Sequence, residues 1–235
     1  NSYRLQKEQL EEQNKLLGDL KFNQEVLCEF LGSTNTLING KTLAVMSAKN
    51  PEYSKDGLDL YENPIPDHYY MMTVDVARGV GGDYSAFTLI DVTEMPYRLV
   101  GKYKDNKISP MLYPSIISKV GKDFNNAYVL VEANDIGQQV LDILHQEEEY
   151  ENIFTTLTEN GKQYLTPGFG RSAKLGVTTS KAVKRQGCFA IKSLVEDTKL
   201  LIHDAEVIGE LSVFTEKGQT FQADEGYNDD LAMTL

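Results

Sequence analysis

The chain has 235 residues, a formal net charge of −12, 41% hydrophobic and 25% charged residues, and two cysteines. That is enough apolar material for one sizeable core, while no run approaches the roughly 20 apolar residues that span a bilayer and no signal peptide is visible. Cys28 and Cys188 lie too far apart in sequence to suggest a disulfide framework, and three histidines with none near a cysteine pair argue against a zinc site.

In chain order, residues 2–20 (SYRLQKEQLEEQNKLLGDL) are helix formers with leucines at 5, 10, 16, 17 and 20, an imperfect amphipathic helix. From Phe22 the chemistry turns extended, punctuated by Gly32, Gly40 and Pro51, and Pro64 and Pro66 mark a further loop. Strands are expected over 69–76, 86–92 and 97–104, and their short connections imply an antiparallel meander. A helix over 111–125, a strand over 127–131 and a helix over 136–145 follow. Asn160-Gly161 is a hairpin signal, placing a hairpin over about 158–166. Two helices are expected within 173–197, one over 204–213, and a last one from near Asn228. The organisation is a helical and extended linker over 1–50 and a mixed α/β domain over 51–235. The Asn at position 1 and the apolar ending LAMTL read as a piece of a longer protein.

Three acidic clusters stand out against this order. Asp75 ends the apolar run YYMMTVD, Glu132 follows VLV in AYVLVEANDIGQQV, and Asp229-Asp230 opens the last helix in EGYNDDLAM. Unpaired carboxylates gathered together repel and resist desolvation, and a divalent metal would resolve that conflict. Magnesium takes hard oxygen ligands and keeps several waters, so a few carboxylates suffice. Two such ions about 3.5–4 Å apart serve phosphodiester cleavage. Taken singly, each residue also fits a turn or cap, and Asn228-Asp229-Asp230 is a good N-cap cluster.

The charge is segregated along the chain. From Lys162 to Lys199 eight Lys and Arg face two acids, a local net of +6, directly after the acidic run Glu147, Glu148, Glu149, Glu151 and Glu159. The basic residues include Arg171, Lys174, Lys181, Lys184, Arg185 and Lys192. Lys181, Lys184, Arg185, Cys188 and Lys192 recur at steps of three and four, which puts them on one side of a helix able to track a phosphate backbone. Two nucleotide-binding look-alikes fail. Asn39-Gly40-Lys41-Thr42 lacks the glycine five residues before Gly40, where Asn35 stands. Gly168–Ala173 fits GxGxxA with no acidic residue about 20 positions on, and reads better as a basic loop. No nucleotide is therefore expected to bind.

The segments TVDVARGVGGDYSAFTLIDV, YVLVEANDIGQQV and GYNDDLAM resemble the nuclease domain of the large terminase subunit of tailed bacteriophages, especially the T-even-like group. FNQEVLCEFLGSTNTLI resembles the segment joining the terminase ATPase to its nuclease. TSKAVKRQGCFAIKSLVEDTKLLIHDAEVIGEL adds to the match, which spans nearly the whole chain. The resemblance implies a ribonuclease H-like (RuvC-like) mixed sheet, three antiparallel strands followed by parallel ones, flanked by helices and carrying an inserted hairpin. It implies an endonuclease cutting concatemeric double-stranded DNA with little sequence specificity, using one or two Mg2+ or Mn2+ ions. Asp75 matches the first-strand aspartate, Glu132 the fourth-strand glutamate, and Asp229 or Asp230 the third catalytic acid. Asp83, in the glycine-rich turn, matches an accessory acidic position. Arg171, Lys174, Lys181, Lys184, Arg185 and Lys192 are the expected DNA contacts. Expected partners are the upstream ATPase domain of the same chain, the phage portal and the small terminase subunit, in the host cytoplasm and away from membranes. The alternatives are a resolvase- or transposase-type nuclease of the same fold, or a non-catalytic module docking DNA or portal.

Overall fold

The computed structural model describes residues 35–133, 135–159, 162–167 and 173–235. The helix expected over 2–20, Cys28, the Asn160-Gly161 turn and Arg171 lie outside them.

The centre is a seven-stranded sheet. Strands β3 (Tyr70–Asp75), β4 (Ser85–Asp91) and β5 (Tyr97–Asp105) form the antiparallel meander, and β6 (Tyr128–Val131) joins β3 in parallel. Beyond β5 lie the short strands β1 (Tyr53–Lys55) and β2 (Leu58–Leu60), giving the order β1-β2-β5-β4-β3-β6. The remaining strand, β10 (Leu200–Leu201), pairs in parallel with the start of β5. The β1–β2 hairpin adds to the elements expected from sequence. Its Asp56-Gly57 turn has φ of 49° and 84°, the two positive angles of a hairpin turn that matches strand twist.

Side chains alternate across a strand, so the sheet presents two apolar faces. Tyr70, Met72, Val74, Phe87, Leu89 and Tyr103 pack beneath α2 (Tyr113–Asp123) and α3 (Asp135–Gln146). Ala86, Ile90 and Leu99 face the other way, onto α5 (Ala205–Val213) and the short α6 (Asp230–Met233), whose Leu231 is fully buried. Residues 35–46 join this second layer: Leu37, Ile38 and Leu43 are buried in it. Asn39 caps α1 (Gly40–Val45) by accepting from the Thr42 N–H, so the Gly-Lys-Thr that imitates a phosphate loop opens a helix instead.

The inserted region is a three-stranded sheet, β7 (Phe154–Glu159), β8 (Lys162–Pro167) and β9 (Lys174–Leu175). The two helices expected within 173–197 reduce to one, α4 (Lys181–Glu196), capped by the Ser180 hydroxyl. Residues 174–179 do not form a helix because β9 pairs with β7, Gly176 breaks the chain with a left-handed φ of 71°, and Val177-Thr178-Thr179 is β-branched. A final hairpin, β11 (Phe214–Lys217) with β12 (Thr220–Ala223), lies between α5 and α6. Among the described residues no helix is long and apolar enough to cross a membrane.

Candidate active site: an acidic row across the sheet

Register alone sets two of the acids side by side. The parallel pairing of β3 and β6 runs to Val74 opposite Val131, and the Glu132 N–H donates to the Val74 carbonyl at 3.2 Å. Asp75 and Glu132 therefore leave the sheet at the same level. Across the sheet Asp75 pairs with Ala86, and Ala86 pairs with Lys104. The period-two alternation turns Asp75 away from the Val74 face and toward α6. Ala86 is fully buried and small, which lets α6 pack against β4 at this point. The result is a row, Glu132, Asp75, Ala86 and Lys104, with Asp229 and Asp230 brought over it by the last helix.

Neighbouring charges act on two of these acids, Asp75 and Asp230. Burial, then the Glu132 carboxylate, pushes the Asp75 carboxyl up to about 7; Asp230 and Asp229 add to the rise, while the Val76 N–H, donating to Oδ1 at 2.8 Å, opposes it. Burial, then Glu210, pushes Asp230 up to about 6, against the opposing pull of Lys104 and of the Tyr84 N–H at 3.4 Å from its Oδ1. Asp229 sits at the N-cap position of α6 without capping it, and its Oδ2 accepts from the Ala223 N–H at 3.2 Å instead. Among the described residues no three Asp, Glu, His or Cys side chains already converge closely enough to hold one ion. The acids nevertheless fit a hard divalent cation, because they gather negative charge in a half-buried place and offer only oxygen donors.

Asp83 is exposed, in the turn after β3. It lines a cleft of about 960 Å³ with Val76, Arg78, Ala133, Gln138 and Thr178. Gly79 fixes this turn: φ is 69°, and a Cβ there would stand 2.3 Å from the Ile108 carbonyl oxygen. The tight backbone approach is therefore to the loop after β5.

The expected basic helix forms, but three of its four cations, Lys184, Arg185 and Lys192, are held by the protein itself. The Lys184 ammonium lies 5.5 Å from the Phe214 ring centre. Arg185 bonds Glu216 at 3.0 Å and stacks over Phe189 and Phe221. Lys192 donates to the Leu37 carbonyl at 2.7 Å and pairs with Glu196 at 3.1 Å. Lys174 and Lys181 are exposed. The α4 helix still borders the acidic row: burial raises the Cys188 thiol, Lys184 and Arg185 lower it, and the Asp229 charge adds to the rise.

Two residues absent from the sequence-based site lie against it. Lys104 Nζ bonds Glu210 Oε1 at 2.6 Å, and Glu210 Oε2 accepts from the N–H groups of Leu231 and Ala232 at 2.7 and 2.9 Å. Lys104 sits in the alternating stretch GKYKD and Glu210 amid AEVIGELSV, where each reads as a solvent-facing charge. Only the fold joins them, 106 positions apart.

An antiparallel three-strand meander extended in parallel, flanked by helices on both faces and ending in acids at the β3 and β6 ends, is a ribonuclease H-like domain. A family model described as the terminase RNaseH-like domain matches residues 72–234, and the chain belongs to that family. The large terminase subunit of Thermus phage G20c is 24% identical over 134 residues, 57% of this chain and 26% of that protein. The chain thus spans about a quarter of that relative. Among solved structures, the large terminase nuclease of thermophilic phage G20c with bound magnesium superposes with a TM-score of 0.65 at 17% identity, covering 86% of this chain and 95% of that one. The same nuclease with bound cobalt gives 0.63 at 18% identity, over 86% and 95% of the two chains. The large terminase nuclease domain of Thermus phage P74-26 gives 0.61 at 17% identity, over 85% and 92%. At these identities the structural likeness is one of fold.

Proposed function

We propose that this domain is a divalent-metal-dependent endonuclease that cuts double-stranded DNA within a phage packaging terminase. The observation that carries the reading is the register that sets Asp75 and Glu132 side by side at the end of the sheet, where the Glu132, Asp230 and Asp229 carboxylates all act on the Asp75 carboxyl. Asp75, Glu132 and Asp230, with Asp229 beside it, would hold one or two Mg2+ or Mn2+ ions. Such ions, when bound, supply an activated water and neutralise charge at the scissile phosphate. Asp230 is the preferred third ligand, because its charge acts on Asp75 more strongly than that of Asp229. Asp83, exposed beside the cleft, serves as an accessory acid. The neighbours solved with magnesium and cobalt support the choice of a divalent ion.

DNA would lie along the cleft and the exposed side of α4, gripped through its phosphates by Lys174, Lys181 and Arg171, with Lys184, Arg185 and Lys192 contributing long-range charge. Contacts of this kind position a duplex without reading its bases, which suits cutting with little sequence preference. The segment expected over 1–50, of which residues 35–46 pack into this domain, would connect to an upstream ATPase domain of the same chain, and the portal and small terminase subunit would be partners in the host cytoplasm. Lys181→Ala should lower the slope of log affinity against log salt by about 1. Fluorescence anisotropy on a labelled duplex measures this, and an unchanged slope would remove α4 from the DNA path. Arg185→Ala should also cost about 1 kcal/mol of stability, because it frees Glu216 and uncovers two rings.

Supercoiled plasmid incubated with the purified domain should be nicked and linearised with Mg2+ or Mn2+ and left intact with chelator. Cleavage restricted to branched DNA would redirect the reading to a resolvase-type enzyme. Binding without cleavage under every divalent ion would leave a docking module in its place.

A further inference from the structure

Two polar groups beside the acidic row and unused by the proposed chemistry are Lys104 and Glu210. Both are largely buried: their side chains are 10% and 8% exposed. A buried ion pair between two ordinary surface residue types costs desolvation and is weak evidence for stability by itself. Here it carries out a geometric task. The residue before a helix ordinarily caps the first free N–H groups with its own side chain, and Asp is among the best at it. Asp229 occupies that position on α6 and makes no such bond. Glu210, from α5, takes over by accepting from the Leu231 and Ala232 N–H groups with Oε2.

The other oxygen of Glu210 is held by Lys104, which anchors the arrangement to β5. Lys104 stands in the same cross-strand row as Asp75, through Ala86. Its ammonium lies 4.6 Å from the centre of the Tyr84 ring, and the Tyr84 N–H donates to Asp230 Oδ1. The contacts close a loop: Lys104 to Glu210, Glu210 to the first turn of α6, Asp230 of that turn to Tyr84, and Tyr84 back to Lys104. An acid that caps its own helix is turned toward that helix and lost to a ligand.

We propose that Lys104 and Glu210 are positioning residues for metal binding: they cap and fix the last helix from outside, which leaves Asp229 and Asp230 available to the site. This inference rests on the metal-binding reading of the acids.

The test is Mn2+ binding to the 235-residue chain, read from the loss of the free-ion electron paramagnetic resonance signal, with the thermal midpoint of the metal-free protein measured in parallel. Glu210→Gln retains an acceptor for the α6 N–H groups and loses the ion pair; it should bind Mn2+ about 10-fold more weakly or worse, as removal of supporting groups around a metal site does. Lys104→Gln should do the same and serves if Glu210→Gln fails to fold. The control is Lys102→Met. It breaks another buried cluster on β5, with Asp59, Asp204 and Glu206, and should lower the thermal midpoint while leaving Mn2+ affinity unchanged. Wild-type affinity in folded Glu210→Gln or Lys104→Gln overturns the proposal, as does an equal affinity loss in Lys102→Met. If wild type binds no Mn2+, or Asp75→Asn binds it equally well, the metal reading itself fails. If Asp75→Asn loses binding and the Glu210 and Lys104 variants keep it, only the positioning role is lost.

Discussion

Asp75→Asn should reduce DNA cleavage by roughly 10³-fold or more, since a group that holds a catalytic ion contributes several kcal/mol to the barrier. The same change should stabilise the metal-free domain. Folding lifts Asp75 to about 7 through burial and the Glu132 carboxylate, whereas the unfolded chain titrates near ~3.9. Between those values the folded protein keeps a proton that the unfolded chain has released. Stability therefore falls as pH rises from about 4 to about 7, and the penalty is complete above that. Asparagine has no charge to lose, so the variant should gain on the order of 2–4 kcal/mol over wild type at pH 8 and little at pH 4. Thermal melts in chelator across this range would show the two curves diverging upward in pH. Parallel curves, or a variant less stable throughout, would contradict the electrostatic account. Added Mg2+ should raise the wild-type midpoint and leave the variant almost unmoved.

Gly176→Ala should have a large effect on folding. The residue has φ of 71°, and a Cβ there would lie 2.5 Å from the Val131 carbonyl oxygen and 2.7 Å from Leu141 Cδ1. Left-handed backbone costs a non-glycine residue roughly 1–2 kcal/mol, and forced overpacking about 1–3 more. A total of about 3 kcal/mol corresponds to a drop of roughly 6–12 °C in a chain of this size. The position also supports the site. The Val177 N–H donates to Val131 at 3.0 Å and the Ala133 N–H to Val177 at 2.8 Å, so the strand through Gly176 grips both neighbours of Glu132. Cleavage by the folded variant should fall further than its folded fraction. Urea titration paired with plasmid cleavage at low temperature separates the two losses, and an unchanged urea midpoint would show that the clash is relieved at no cost.

The parts legible in sequence were those governed by local rules. Asp75 and Glu132 were readable because apolar runs end on them, and the parallel register places them at one level. The last helix was readable from Asn228-Asp229-Asp230, while the choice between the two adjacent acids was open in the sequence. The β1–β2 hairpin carried a readable Asp-Gly signal at 56–57, but strands of three residues are too short to display alternation. In 173–197, helical spacing of the basic residues identified α4 and could not tell which of them would meet Phe214, Glu216 or Leu37. Lys104 and Glu210 were beyond reach for a different reason. Each looks like a surface charge on its own element, and their burial follows from a contact between β5, α5 and α6 that no local pattern encodes.

The central claim is that these acids form one metal centre. Crystals of the domain soaked in Mn2+ and measured near the manganese absorption edge test it most directly. Anomalous peaks should appear between Asp75, Glu132 and Asp230, with Asp229 alongside. A crystal that takes up Mn2+ elsewhere, leaving those four carboxylates without a peak, would contradict it.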